Sequence, residues 1–151
     1  MRFFGNIEAK TDTKGRAFLP AVFRKVLQSA GEEHLVMAKD VFQSCLVLYP
    51  ESVWNEQTDK LRLQLNRWNK AEQQLFRQYI TDVELIELDG NGRFLIPRRY
   101  MQMAEIDREV KFLGLGDTIE IWSLAKAETP FVEPEAFGEA LENLLGTRPN
   151  P

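Results

Sequence analysis

The sequence predicts a mixed α+β fold in which one small unit is used twice to make a single pseudo-symmetric domain. Three observations predict it. Short stretches alternate between apolar and polar residues in the manner of half-buried strands. Apolar stripes at helical spacing follow them. One motif also occurs twice, as Asp12-Thr13-Lys14-Gly15-Arg16-Ala17-Phe18-Leu19-Pro20 and as Asp89-Gly90-Asn91-Gly92-Arg93-Phe94-Leu95-Ile96-Pro97.

In the first copy, Asn6 to Thr11 alternates as a strand, with Ile7 and Ala9 on one face and Glu8 and Lys10 on the other. Asp12 to Gly15 reads as a turn, since Asp bonds its own local backbone and Gly supplies a positive φ. Arg16 to Leu19 resumes a strand, which makes the segment a β-hairpin. Pro20 suits the first position of a helix, where a missing N–H costs little. Val22, Phe23, Val26 and Leu27 stripe that helix, and Gly31 is its candidate C-cap. Leu35–Ala38 and Cys45–Tyr49 are further strands.

The second copy repeats this order. Val83–Leu88 and Arg93–Ile96 are strands about the turn Asp89–Gly92. Pro97 opens a short helix with Tyr100, Met103 and Ala104, and Val110–Leu113 and Thr118–Trp122 close the unit. Leu46-Val47-Leu48-Tyr49 matches Ile119-Glu120-Ile121-Trp122. Between the copies, Pro50 to Thr81 reads as a helical hairpin with Trp54, Leu61, Leu65, Trp68, Leu75 and Tyr79 at near-heptad spacing. Asn69-Lys70-Ala71-Glu72 has the form of a capping box. A coiled coil is the alternative, interrupted by Asn66 and Asn69. Pro134 to Leu145 predicts a last helix, and Gly146 to Pro151 is expected to be disordered. The expected organisation is repeat 1 over 7–54, a helical connector over 55–82, repeat 2 over 83–126 and an acidic C-terminal tail over 127–151. Either copy alone is too short to bury much apolar area, so the two are expected to share one core.

Composition excludes several classes. The 151 residues, 44% hydrophobic and 28% charged, are those of a soluble globular protein. No apolar run approaches the roughly 20 residues that span a bilayer, and the N-terminus has no signal-peptide stretch, so a cytoplasmic location is expected. Cys45 is the single cysteine and His34 the single histidine. That excludes an intrachain disulfide and leaves too few ligands for a usual zinc site. Cys45 reads as a buried small hydrophobe and His34 as a loop residue. No cofactor, metal or membrane partner is expected. No nucleophile–base pair is evident, and the chain is read as not an enzyme.

Net charge is −4, but its distribution matters more than the total. Between Lys10 and Lys25 the bases are Lys10, Lys14, Arg16, Arg24 and Lys25, and Asp12 is the only acid. From Gln102 onward four bases face ten acids.

The motif admits a purely structural reading, in which Asp caps a turn and pairs with Arg four residues on. It does not fit a calcium loop, because Arg93 and Phe94 occupy the positions that need an oxygen ligand and Gly. A phosphate loop fails because no Gly-Lys-Ser/Thr follows. The two copies differ in charge: Lys10 corresponds to Glu87, and Lys14 to Asn91. Turn geometry explains the shared Asp12, Gly15, Pro20, Asp89, Gly92, Arg93 and Pro97. It does not explain the surplus lysines. A basic β-hairpin suits the major groove or the phosphates flanking it, with Arg able to hold guanine bidentately and Lys neutralising phosphate.

On both motifs, the opening Gly5-Asn6-Ile7-Glu8 and the Leu46-Val47-Leu48-Tyr49-Pro50 run, the chain resembles the MraZ family of transcriptional regulators, to about Phe137. The resemblance implies a duplicated SpoVT/AbrB-like swapped-hairpin (double-split) β-barrel with added helices. It also implies ring-shaped homo-oligomers at the nucleoid. These bind tandem repeats in double-stranded promoter DNA upstream of the division and cell-wall gene cluster, including the regulator's own gene, and typically repress it. The family's DNA-contacting motif falls on Lys14 and Arg16. Lys10, Arg24 and Lys25 complete the expected DNA-binding set, and Arg93 is expected to be mainly structural. The alternative is a ring-forming interaction scaffold that does not bind DNA.

Overall fold

The strands of each copy pair with strands of the other. The structure, a computed structural model, describes residues 1–146. The part of the predicted disordered tail from Thr147 to Pro151 lies outside the described residues. The first copy forms β1 (Asn6–Lys10), β2 (Arg16–Phe18), α1 (Ala21–Ser29), β3 (Leu35–Lys39) and β4 (Leu46–Pro50). The second forms β5 (Val83–Ile86), β6 (Arg93–Leu95), α4 (Arg98–Met103), β7 (Glu109–Gly114) and β8 (Ile119–Ser123). Helices α2 (Glu51–Gln64) and α3 (Lys70–Thr81) lie between the copies, and α5 (Pro134–Leu145) follows them.

A six-stranded antiparallel sheet has the order β1-β7-β8-β4-β3-β5, and β2 and β6 make a separate two-stranded ribbon. Exchanging equivalent strands of the two copies reverses the order of the large sheet and leaves it otherwise unchanged. The strand order is therefore symmetric about the β8–β4 pair. The sheet is open, with β1 and β5 at its edges.

The simple hairpin expected over Asn6–Leu19 is corrected. The turn forms, but β1 pairs with β7 from Asn6↔Leu113 to Lys10↔Glu109, while β2 pairs with β6 about Ala17↔Phe94. Both inward residues of the ribbon, Ala17 and Phe94, are buried. Crossing between copies lets each strand bury a face that a lone hairpin would expose to water.

Pro20 and Pro97 sit one place earlier than expected, as N-caps with ψ of 138° and 147°. Their carbonyls accept the first helical N–H groups, from Phe23 and Arg24 in one copy and Tyr100 and Met101 in the other. Helix α1 buries Phe23 and Leu27, and α4 buries Tyr100. These join Leu46, Leu48, Ile119 and Ile121 in one core drawn from both copies. Strand β5 ends at Ile86, short of the expected Leu88.

The connector is a helical hairpin, as read. Trp54 of α2 packs on Val36 and Ala38 of the sheet and stacks on Tyr79 of α3 at 5.3 Å. Phe76 is buried with the Arg62 guanidinium 3.6 Å from its ring centre. The capping box is half formed. Glu72 N–H donates to the Asn69 side chain at 3.1 Å, but the Glu72 carboxylate accepts from Asn66 N–H instead of Asn69 N–H. No helix among the described residues is long and apolar enough to cross a membrane.

Candidate nucleic-acid interface

The two Asp turns are near copies in geometry. Asp12 Oδ1 accepts from the backbone N–H groups of Lys14 and Arg16, both at 2.9 Å, and its Oδ2 accepts from Arg16 Nε at 2.7 Å. Asp89 Oδ1 accepts from Asn91 and Arg93 N–H at 2.9 Å, and its Oδ2 from Arg93 Nε at 2.9 Å. Each turn is closed by backbone bonds, Asp12 N–H to Arg16 O at 2.8 Å and Asp89 N–H to Arg93 O at 2.8 Å. Donation from the Arg16 and Arg93 backbone N–H groups, aided by the neighbouring donors, holds both carboxyls below the ordinary aspartate range.

Gly15 and Gly92 take φ of 86° and 82°, a region that side chains disfavour. Gly15 also has no room for one, and a Cβ on Gly92 would have to push the Arg24 side chain aside. A Cβ on Gly15 would lie 2.9 Å from Ile96 O, and one on Gly92 would lie 2.6 Å from Arg24 Nη1. The turns lock the ribbon at its two ends: Ile96 N–H donates to Gly15 O, and Leu19 N–H to Gly92 O, each at 2.9 Å. The Lys14 turn thus stands at one end of the β2–β6 ribbon and the Asn91 turn at the other.

Lys14 is exposed at the tip of its turn. Arg16 is held through Nε alone, so Nη1 and Nη2 have no hydrogen-bond partner among the described residues. Lys10 faces Glu109 across the β1–β7 pair at 3.9 Å, both side chains being exposed. Arg24 donates from Nη1 to Leu19 O at 2.6 Å and lies against Gly92, half-buried. Lys25 is exposed on α1. The structure therefore brings Lys14 and Arg16 together at one turn, pairs Lys10 with an acid, and uses Arg24 to bridge the copies.

The ribbon's outer face carries residues that the charge pattern did not reveal. Phe18 and Leu95 are each about half exposed beside Arg16 and Arg93, and the Arg93 guanidinium lies 5.9 Å from the Phe18 ring centre. Strand alternation was the available signal: Phe18 lies two residues from Arg16 and so shares its face. In the second copy, Arg99 is paired with Asp82 and Glu84, which offsets its charge.

One other cluster gathers ligand-type atoms. Asp40, Cys45 and Glu120 place a carboxylate oxygen, a thiol and a carboxylate oxygen within 4.8 Å of one another. Asp40 already accepts from Phe42 and Gln43 N–H, and Glu120 from Trp122 Nε1. Burial pushes the Cys45 thiol far up, keeping it neutral. Cys45 packs with Leu113, Trp122 and Ala127, consistent with the small-hydrophobe reading.

Comparison with known proteins adds the family. The family whose model matches is MraZ protein, over residues 3–78 and 80–138. A protein of Phocaeicola vulgatus named transcriptional regulator MraZ is 62% identical over 150 residues, covering 99% of this chain and 97% of its own. Proteins of the same name from Bacteroides fragilis and Bacteroides thetaiotaomicron are 58% and 55% identical over 145 residues, covering 96% of this chain and 92% and 93% of their own. With the family model matched along nearly all of its length and relatives this similar, the chain belongs to the MraZ family.

Proposed function

We propose that this chain is a sequence-specific DNA-binding transcriptional regulator. It represses the division and cell-wall gene cluster, including its own gene, by engaging tandem promoter repeats as a ring-shaped homo-oligomer at the nucleoid. The relatives' name supports the regulatory part. The single observation that carries the DNA-binding part is the Asp12–Arg16 arrangement with Lys14 exposed beside it; the second turn repeats the grip on Arg93 but has Asn91 in that place. A carboxylate that grips only Nε orients the guanidinium and leaves the two terminal nitrogens for a planar, bidentate partner such as a guanine edge. Lys14, beside it and exposed, suits phosphate neutralisation. Lys25 is a secondary contact. Lys10 contributes once Glu109 is displaced or screened, and Arg24 acts mainly by supporting the ribbon.

The repeats over 7–54 and 83–126 are read as SpoVT/AbrB-like units of a swapped-hairpin, double-split barrel, joined by the connector over 55–82 and followed by the tail over 127–151. Cross-copy pairing of β1 with β7 and β2 with β6 supports that reading. One basic turn per chain binds DNA weakly. An oligomer that presents several such turns to repeated boxes gains avidity on the order of 10² or more by raising effective concentration.

The test is anisotropy titration of the DNA directly upstream of the chain's own gene. Binding is expected to weaken steeply with salt and to depend on closely spaced direct repeats. A salt-insensitive self-association with no binding to that DNA would instead favour the interaction scaffold. The exposed Trp68 and the wholly exposed α5 are the observations behind that second reading.

A further inference from the structure

Helix α5 has the pattern of a packed helix, but none of its residues is buried among the described residues. Phe137, Leu141, Leu144 and Leu145 fall at i, i+4, i+7 and i+8, one continuous face. They are 55%, 40%, 48% and 62% exposed, and no residue of the helix is buried. A helix of 12 residues with Gly138 inside it is marginal in water by itself. Its apolar face therefore calls for a covering surface, and its own chain supplies none among the described residues.

The tip of the α2–α3 hairpin has the complementary deficit. Trp68 is 93% exposed, Leu63 87% and Leu75 64%, whereas tryptophan is among the more buried residue types on average. The charges of the two surfaces also match. From Lys60 to Ala71 the chain has Lys60, Arg62, Arg67 and Lys70 and no acid. From Ala127 to Gly146 it has acids, among them Glu135, Glu139 and Glu142, and no base. Neither Arg67 nor Lys70 has an ion-pair partner among the described residues.

We propose that α5 of one copy docks on the α2–α3 tip of a second copy. The apolar face covers Trp68, Leu63 and Leu75, and the α5 carboxylates meet Arg67 and Lys70. The two surfaces are different, so the contact is heterologous. A heterologous contact repeats from copy to copy and closes into a ring when the rotation allows. This inference rests on the reading of the chain as a homo-oligomer and names the surfaces that would join it.

The experiment is light scattering on the full chain and on Trp68→Glu and Leu141→Asp, with circular dichroism to show that each variant is folded. The wild type is expected to be an assembly and each variant a monomer. An equimolar mixture of the variants is expected to form a dimer and go no further, because it retains one intact tip and one intact α5. A wild-type assembly whose mass is unchanged in both variants would overturn the docking and leave the oligomer reading standing. A wild type that is monomeric at all concentrations would overturn both. Binding of each variant to a DNA with one box, measured in parallel, reports on the DNA reading separately.

Discussion

Arg24 of the first copy lies over Gly92 of the second, close enough that a Cβ at Gly92 would sit 2.6 Å from Nη1. The same guanidinium donates to Leu19 O at 2.6 Å, and Leu19 N–H in turn donates to Gly92 O. One side chain thus ties α1, the end of β2 and the second turn together. Gly92→Ala forces a positive φ on a residue with a Cβ and pushes the Arg24 side chain aside, and is expected to cost about 1–3 kcal/mol. Urea denaturation checks it; an unchanged midpoint would show that the turn relaxes freely. Arg24→Ala is expected to lower stability while leaving the salt dependence of DNA binding unchanged. A loss of about one in the log–log salt slope would instead make Arg24 a phosphate contact.

Acid stability follows from the two aspartates. Each has a folded-state pKa below its ordinary value, chiefly through donation from the Arg backbone N–H that closes its turn. A depressed carboxyl contributes stability that is fully present above the unfolded pKa, near 3.8, and is lost as pH falls through the lower folded value. The fold is therefore expected to weaken below about pH 4, and Asp12→Asn to flatten that part of the profile. Both carboxylates are exposed, so the effect is modest. Urea midpoints between pH 6 and pH 2 measure it, and identical profiles for wild type and variant would contradict the role given to Asp12.

Much of this was legible because local chemistry decided it. Asp12, Gly15 and Arg16 specify their turn through contacts within five residues, and Asp89, Gly92 and Arg93 do the same, so the motif predicted both turns correctly. The partners of β1 and β2 were not legible. Alternation reveals which face of a strand is buried but not which strand lies beside it, so the sequence suggests a hairpin where the strands exchange between copies. In the sequence Arg24 belongs to a run of basic residues, and nothing local points to its contact, Gly92, which is distant along the chain. Phe18 and Leu95 carry no charge, so the charge pattern does not point to them, although they share the ribbon face of Arg16 and Arg93.

The charge difference between the two turns can be moved from one to the other. Asn91 occupies the place of Lys14, with its N–H bonded to Asp89 as that of Lys14 is to Asp12. Asn91→Lys should therefore fold normally and add a phosphate contact, steepening the salt slope by about one. Lys14→Asn should weaken binding about uniformly across sequences and make the slope shallower by about one. Equal slopes for both variants and the wild type would mean that neither turn approaches DNA phosphates.

The most direct measurement compares Arg16→Ala with Arg93→Ala on the DNA upstream of the chain's own gene. The two substitutions do equivalent damage to equivalent turns, since each arginine bonds its own aspartate in the same way. Only the first removes the guanidinium beside Lys14. Arg16→Ala is expected to weaken specific binding by about 1–3 kcal/mol per engaged site, with Arg93→Ala changing it far less. Binding unaltered by Arg16→Ala, or lost equally in both, would contradict the assignment of the Asp12–Arg16 turn as the reading edge.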